Sequence, residues 1–285
     1  MNRQKSKVCQ PKKNVSLSRW LISIFMGLCS ITFIVPFYYM FVNAMKSKTE
    51  YYLNQFSLPS TWNWKAFSTM IVNYKIFRYM AHSAIIVALT VCVVIPISVC
   101  SSYTFAKYRF RGKNVIYLAM IACMTIPMQV IAIPIYIGLG KINLVNTYAG
   151  ILLVNMGMMC GSVVMMSSFF KGIPDELLDE AMIDGCGYFG SILHVVIPIG
   201  LPAISIEIIL MITNTWNDLF IPQILLTKAN VKPIMVALTE LTQKYQVEPT
   251  YMLAGLLMCS LPTLLVFLVF QKHIMKGVLI GAIKG

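Results

Sequence analysis

Five of the ten acidic residues in this chain fall within ten consecutive positions: Asp175, Glu176, Asp179, Glu180 and Asp184. They sit in KGIPDELLDEAMIDGCGYFGSILHVVIPIGLP, Lys171 to Pro202, the longest charge-rich interruption of an otherwise apolar sequence. Nothing supplies these carboxylates with a metal set or a nucleophile. There is no HExxH, no GxSxG and no His/Cys/Asp cluster, and His82, His194 and His273 are isolated. None of the eight cysteines forms C-x-x-C, and most lie in apolar runs, where a thiol behaves as a small hydrophobe. Gly140-Lys141 lacks the upstream glycine and the Ser/Thr of a phosphate-binding loop. The chemistry left to the acids is recognition, a charged face offered to a partner, or simply a solvated amphipathic loop. A second polar set falls inside an apolar run: Glu207, Met211, Asn214 and Asp218 follow at steps of 4, 3 and 4, one helical stripe, with Trp216 and Asn217 nearby. Ionisable residues within a span face protein or a water-filled cavity. The stripe therefore lines a solute pathway or forms a hydrogen-bonded seam with another subunit.

The elements that carry these residues are membrane helices. The chain is 285 residues long, 58% hydrophobic and only 12% charged, against about 25% charged for soluble domains. So little charge cannot cover a water-facing surface, and a soluble enzyme or regulator is excluded. The net charge of +13 lies beside the apolar runs, which points to anionic lipid and topology rather than nucleic acid. Six spans are expected, near 21–45, 83–106, 115–139, 144–170, 199–226 and 252–270. The first run is too long for a secretory signal and reads as an uncleaved helix behind a basic tail, 1–19. The expected fold class is an all-α polytopic membrane protein. Its spans occupy 20–270, and a short basic tail, 271–285, follows.

Six spans put both termini on one face. With that face cytosolic, the tail and the tight turn carrying Lys107, Arg109, Arg111 and Lys113 lie inside, as the positive-inside rule requires. The acidic stretch then also faces the cytosol. Within it, Pro174 fits a first helical position, and Asp175 and Glu176 favour the positive helix end. Leu177, Leu178, Ala181 and Met182 fall on one side, the acids on the other. Gly185 and Gly187 break the helix around Cys186. Helix is expected again over 188–196, with Pro198 and Pro202 opening the fifth span.

This stretch resembles the Glu-Ala-Ala loop of ABC-importer permeases, here 171–198. Asp179-Glu180-Ala181 precedes Gly185, and Val195-Val196-Ile197-Pro198 follows after nine residues, with Asp179 in place of Glu and Glu180 in place of the first Ala. Further likenesses to maltose-type carbohydrate permeases run in order along the chain: Ser102 to Lys113, Ile126-Pro127 to Tyr136, Asn146-Thr147-Tyr148, Trp216-Asn217-Asp218 and Gly281 to Gly285. The resemblance implies one of two permeases in an ATP-driven importer of the bacterial plasma (inner) membrane, not an enzyme. It implies as partners a second permease, two copies of an ATPase subunit carrying ATP and Mg, and an extracellular sugar-binding protein. It assigns Asp175, Glu176, Asp179, Glu180, Ala181, Asp184, Gly185 and Pro198 to ATPase coupling. Glu207, Asn214, Trp216, Asn217 and Asp218 become pathway candidates. A permease for a related solute such as glycerol phosphate is the alternative. An ion-driven carrier would instead show an internal repeat and paired ionisable residues at mid-membrane.

Overall fold

A backbone inside lipid must satisfy its own hydrogen bonds, so apolar runs of this length fold as helices. The computed structural model describes residues 17–243 and 247–283, and the side chains of 20–243 and 247–271; among them no strand forms. The chain is an all-α polytopic membrane protein. Among the described residues, four helices are long and apolar enough to cross a membrane, and up to six spans result when each of two bent helix pairs counts as one.

In order, the helices are α1 (Leu17–Ala44), α2 (Lys48–Leu53), α3 (Lys65–Val72), α4 (Ile76–Lys107), α5 (Lys113–Met124), α6 (Met128–Lys141), α7 (Tyr148–Gly157) and α8 (Cys160–Phe170). They continue with α9 (Asp175–Ile183), α10 (Tyr188–Asn217), α11 (Phe220–Leu225), α12 (Ile234–Gln243) and α13 (Pro249–Ile283). The expected basic tail lies outside the described residues except for the start of α1, as does the end of the Gly-Ala-Ile-Lys-Gly run.

Several expected boundaries move, each for a physical reason. The third span is two helices, α5 and α6, meeting at 102°. Pro127 supplies no N–H and disfavours helix at Ile126, so it caps α6 with an extended backbone (ψ 132°). The fourth span, α7 and α8, bends by 47° at Met158–Met159. The fifth starts at Tyr188 rather than 199, and Pro198 and Pro202 lie inside it instead of opening it. One wide π turn at Ile192–Val196, closed by Ile197 N–H donating to the Ile192 carbonyl, precedes Pro198 and carries the helix into the proline segment. The same helix stops at Asn217 rather than 226. Asp218 is extended there, and its carboxylate accepts from Phe220 N–H at 3.1 Å, a local turn that competes with further helix. The second span, α4, begins at Ile76 rather than 83. The last runs through Ile283, so the expected tail is helical up to that residue.

The bundle is organised on α4, which packs against α7, α8, α10 and α12, while α13 packs against α1, α3 and α10. Gly200 lets α10 pass close over the end of α8: a Cβ there would stand 2.6 Å from the Phe170 ring. At the far end Asn146 ties two loops together. It holds φ 61°, and its side-chain oxygen accepts from Thr227 N–H at 2.7 Å and Lys228 N–H at 2.9 Å. Beside this, Lys232 and Glu240 form a mostly buried pair at 2.5 Å.

Candidate functional site

Two features stand at the two ends of α10. The first is the acidic loop. α9 spans Asp175–Ile183 with Pro174 as its N-cap, one position earlier than expected, and Asp175 and Glu176 occupy the first turn. Its end is a Schellman motif: Gly185 N–H donates to the Met182 carbonyl at 3.1 Å and Cys186 N–H to the Ala181 carbonyl at 2.9 Å. The motif needs a left-handed residue after the cap, and Gly185 has φ +86°. An added Cβ would meet no neighbouring atom, so the demand for glycine in this chain is conformational.

Leu178 and Ala181 turn inward and are buried, whereas Asp175, Glu176, Asp179, Glu180 and Asp184 are exposed. The side that groups Leu177, Leu178, Ala181 and Met182 is split. Leu177, Met182 and Ile183 face outward, Ile183 at 85% exposure, and Phe189, past the turn, is exposed as well. The exposed surface is therefore acidic and apolar together, so the one apolar side read from the sequence is divided between the bundle and solvent. Pro198 is also exposed, one turn past the π segment.

The loop is fixed to the bundle from below. Lys107, at the end of α4 and mostly buried, donates to the Ile173 carbonyl and to Asp175 Oδ1 at 2.6 Å. The Tyr188 hydroxyl donates to the Cys100 carbonyl at 2.8 Å and lies 2.9 Å from Thr104 Oγ1. Its ring packs with Tyr103 and Tyr108 at centroid distances of 5.4 and 5.8 Å. Lys171 stands over the Tyr117 ring at 5.1 Å, a cation–π contact to α5. None of these anchors was legible as such, since the Lys107–Asp175 pair joins residues 68 positions apart.

The second feature is a cavity of about 490 Å³ where α6, α7 and α8 break around α10. The stripe lies on it: Glu207, Met211, Asn214 and Asp218 line the cavity, and so does Asn217. Opposite them are Thr90 of α4, Gln129 at the start of α6, and Asn155 and Ser162 on either side of the bend in the fourth span. Asn155 Nδ2 donates to Thr90 Oγ1 at 2.9 Å, and Ser162 Oγ donates to Glu207 Oε1. Glu207 is only 7% exposed. Irregular backbone at membrane depth is tolerated where it lines a cavity, and discontinuous helices build solute sites in transporters. Asn155 carried a sequence signal, a polar amide inside an apolar span; Thr90, Gln129 and Ser162 carried none.

Trp216 is not brought to the cavity. Its indole points to the other side of α10, buried against α13, where Nε1–H donates to the Cys259 carbonyl at 3.2 Å. It is a packing residue at the joint of the fifth and sixth spans.

Comparison with known proteins follows the same lines. The family described as "Binding-protein-dependent transport system inner membrane component" matches residues 94–279. The probable ABC transporter permease protein YurM of Bacillus subtilis is 26% identical over 97% of this chain and 92% of its own length. The arabinooligosaccharides transport system permease protein AraQ of Bacillus subtilis is 25% identical over 95% and 97%. The probable starch degradation products transport system permease protein AmyC of Thermoanaerobacterium thermosulfurigenes is 24% identical over 95% and 99%. In three dimensions the chain superposes on a bacterial ABC transporter involved in the import of the acidic polysaccharide alginate. The TM-score is 0.79 at 20% identity, over 90% of this chain and 98% of that one, which establishes the shared fold. With a family match that covers the acidic loop and, apart from Thr90, the cavity lining, the chain belongs to the inner-membrane components of binding-protein-dependent transport systems, a family of transport subunits rather than enzymes.

Proposed function

We propose that this chain is the permease subunit of an ATP-driven importer. With a second permease it forms the membrane pathway for a sugar or oligosaccharide delivered by an extracellular binding protein. Two copies of an ATPase subunit hold the ATP and Mg, both termini are cytosolic, and the acidic loop faces the cytosol to meet the ATPase. The observation that carries this reading is the continuity of α10. One helix of 30 residues starts beside the anchored loop and ends in the polar cavity, a reach of roughly 45 Å at 1.5 Å per residue.

The mechanism is mechanical. ATP closes the ATPase pair, and α9 moves with the cleft that holds it. Exposed Leu177, Met182 and Ile183 supply the apolar contact and the acids the charge complementarity. Lys107 and Tyr188 pass that motion to α4 and α10 through the contacts at 2.6 and 2.8 Å. The cavity side chains then open to the opposite side of the membrane.

The test is purification of the tagged chain from its native membrane. One further permease and an ATPase should accompany it, and Met182→Asp with Ile183→Asp should lose the ATPase while keeping the permease. A homo-oligomer without an ATPase would overturn the reading and favour an ion-driven carrier.

A further inference from the structure

We propose that Glu207 makes the cavity an anion-rejecting site, so that the solute it takes is a neutral or amino-bearing sugar and not a phosphorylated or uronic one. The proposal rests on the pathway reading above and concerns the chemistry of that same cavity.

Glu207 is 7% exposed, and the hydrogen bond from Ser162 uses only its Oε1. None of the salt bridges among the described residues includes it: those join Lys48 to Glu248, Lys107 to Asp175 and Lys232 to Glu240. Among the described residues, the other acidic side chain on the cavity is Asp218, and no Lys, Arg or His lines it. The remaining polar lining, Gln129, Asn155, Asn214 and Asn217 among it, offers amides, which donate to and accept from sugar hydroxyls without preferring a charge. A carboxylate that keeps its charge while sheltered from water and lacking a cation acts over longer distances than one in solvent, because the surroundings screen it poorly, and the charge preference of a probe in the cavity reads whether Glu207 carries that charge. It repels a phosphate or a uronate entering the same volume and attracts an ammonium group. Neutral sugars are admitted because Ser162 and the amides leave hydroxyl partners in place. At about 490 Å³ the cavity suits one or two sugar rings, within the range usual for small-molecule sites. Glycerol phosphate is accordingly a disfavoured solute.

The test reads the field of the cavity without needing the solute. Met211 lines the cavity one helical turn from Glu207. Met211→Cys, purified with the partner subunits that accompany the tagged chain, is labelled with a cationic and an anionic methanethiosulfonate reagent. Labelling of residue 211 is followed by peptide mass spectrometry, so the natural cysteines do not interfere. Relative to a free thiol, the cationic reagent should be favoured by roughly tenfold at one turn's separation. Glu207→Gln should remove most of that preference, and Glu207→Asp should keep it. Labelling without charge preference, or a preference unchanged in Glu207→Gln, overturns the proposal while leaving the pathway standing; a basic side chain from a second subunit would give that result. No labelling by either reagent overturns the proposal and the pathway reading together.

Discussion

The loop and the cavity lie at the two ends of α10 and are built in opposite ways. At the loop, acids stand in solvent and apolar side chains stand with them, while the polar anchors, Lys107 and the Tyr188 hydroxyl, are drawn inward. At the cavity, the acid is buried and its neighbours are amides and hydroxyls from four other helices. Exposed carboxylates are screened and contribute little one at a time, so the loop works by shape and by the sum of its surface. A buried carboxylate is felt strongly, so the cavity works through single residues. The difference teaches where a substitution will matter. Conformation is decisive at the loop, and charge and polarity are decisive at the cavity.

The largest expected effect breaks the loop's conformation. Gly185→Val places a β-branched residue at φ +86°, which costs about 2 kcal/mol or more. Membrane insertion should persist while ATP-driven uptake falls by an order of magnitude or more. Normal uptake in that variant would mean the Schellman turn is only a helix stop. Next comes a contrast along α10 itself. Trp216→Ala removes a buried indole from the contact with α13 and should destabilise the detergent-solubilised protein by about 3 kcal/mol. Asn214→Leu should lower uptake and leave the melting temperature nearly unchanged. If the two swapped behaviours, the assignment of faces on α10 would be wrong.

A smaller effect sharpens the comparison at the anchors. Lys107→Met frees the Ile173 carbonyl and the exposed Asp175. The loss, about 1 kcal/mol after solvent screening, should appear as several-fold faster proteolysis within 171–187 and unchanged cleavage elsewhere. The smallest lies on the far face. Glu50 accepts from Ser60 N–H at 2.5 Å and Ser60 Oγ at 2.9 Å. Those hydrogen bonds, the backbone one first, hold its carboxyl below the ordinary range against a smaller opposing effect of burial. A carboxylate whose folded pKa is depressed stabilises above its unfolded pKa and loses that stabilisation as pH falls through the folded value. Acidification from pH 7 should therefore cost the wild type slightly more stability than Glu50→Gln, by less than about 1 kcal/mol for so exposed a group.

The loop was legible because its residues are contiguous. Acids, glycines and apolar positions within one run dictate helix, stop and exposed face, and only the split of the apolar side needed the packing around it. The stripe was legible through its period, since Glu207, Met211, Asn214 and Asp218 do share the cavity. Trp216 departs from it for the same geometric reason. Two residues along a helix of 3.6 per turn carry it about 200° round from Asn214, to the opposite face. Pro127 announces a break, but the size of the 102° bend is set by how α5 and α6 pack, which no local pattern encodes. Thr90, Gln129 and Ser162 belong to the cavity only because distant helices converge there.

The measurement that tests the account most directly joins the two regions. In the purified complex, the labelling rate of a cysteine at 211 is followed with and without ATP, in the wild-type loop and in Gly185→Val. The account predicts that ATP changes the rate severalfold with the wild-type loop and leaves it unchanged in the Gly185→Val variant. A rate indifferent to ATP in both, or one that still responds when the loop is broken, would contradict the claim that the loop drives the cavity.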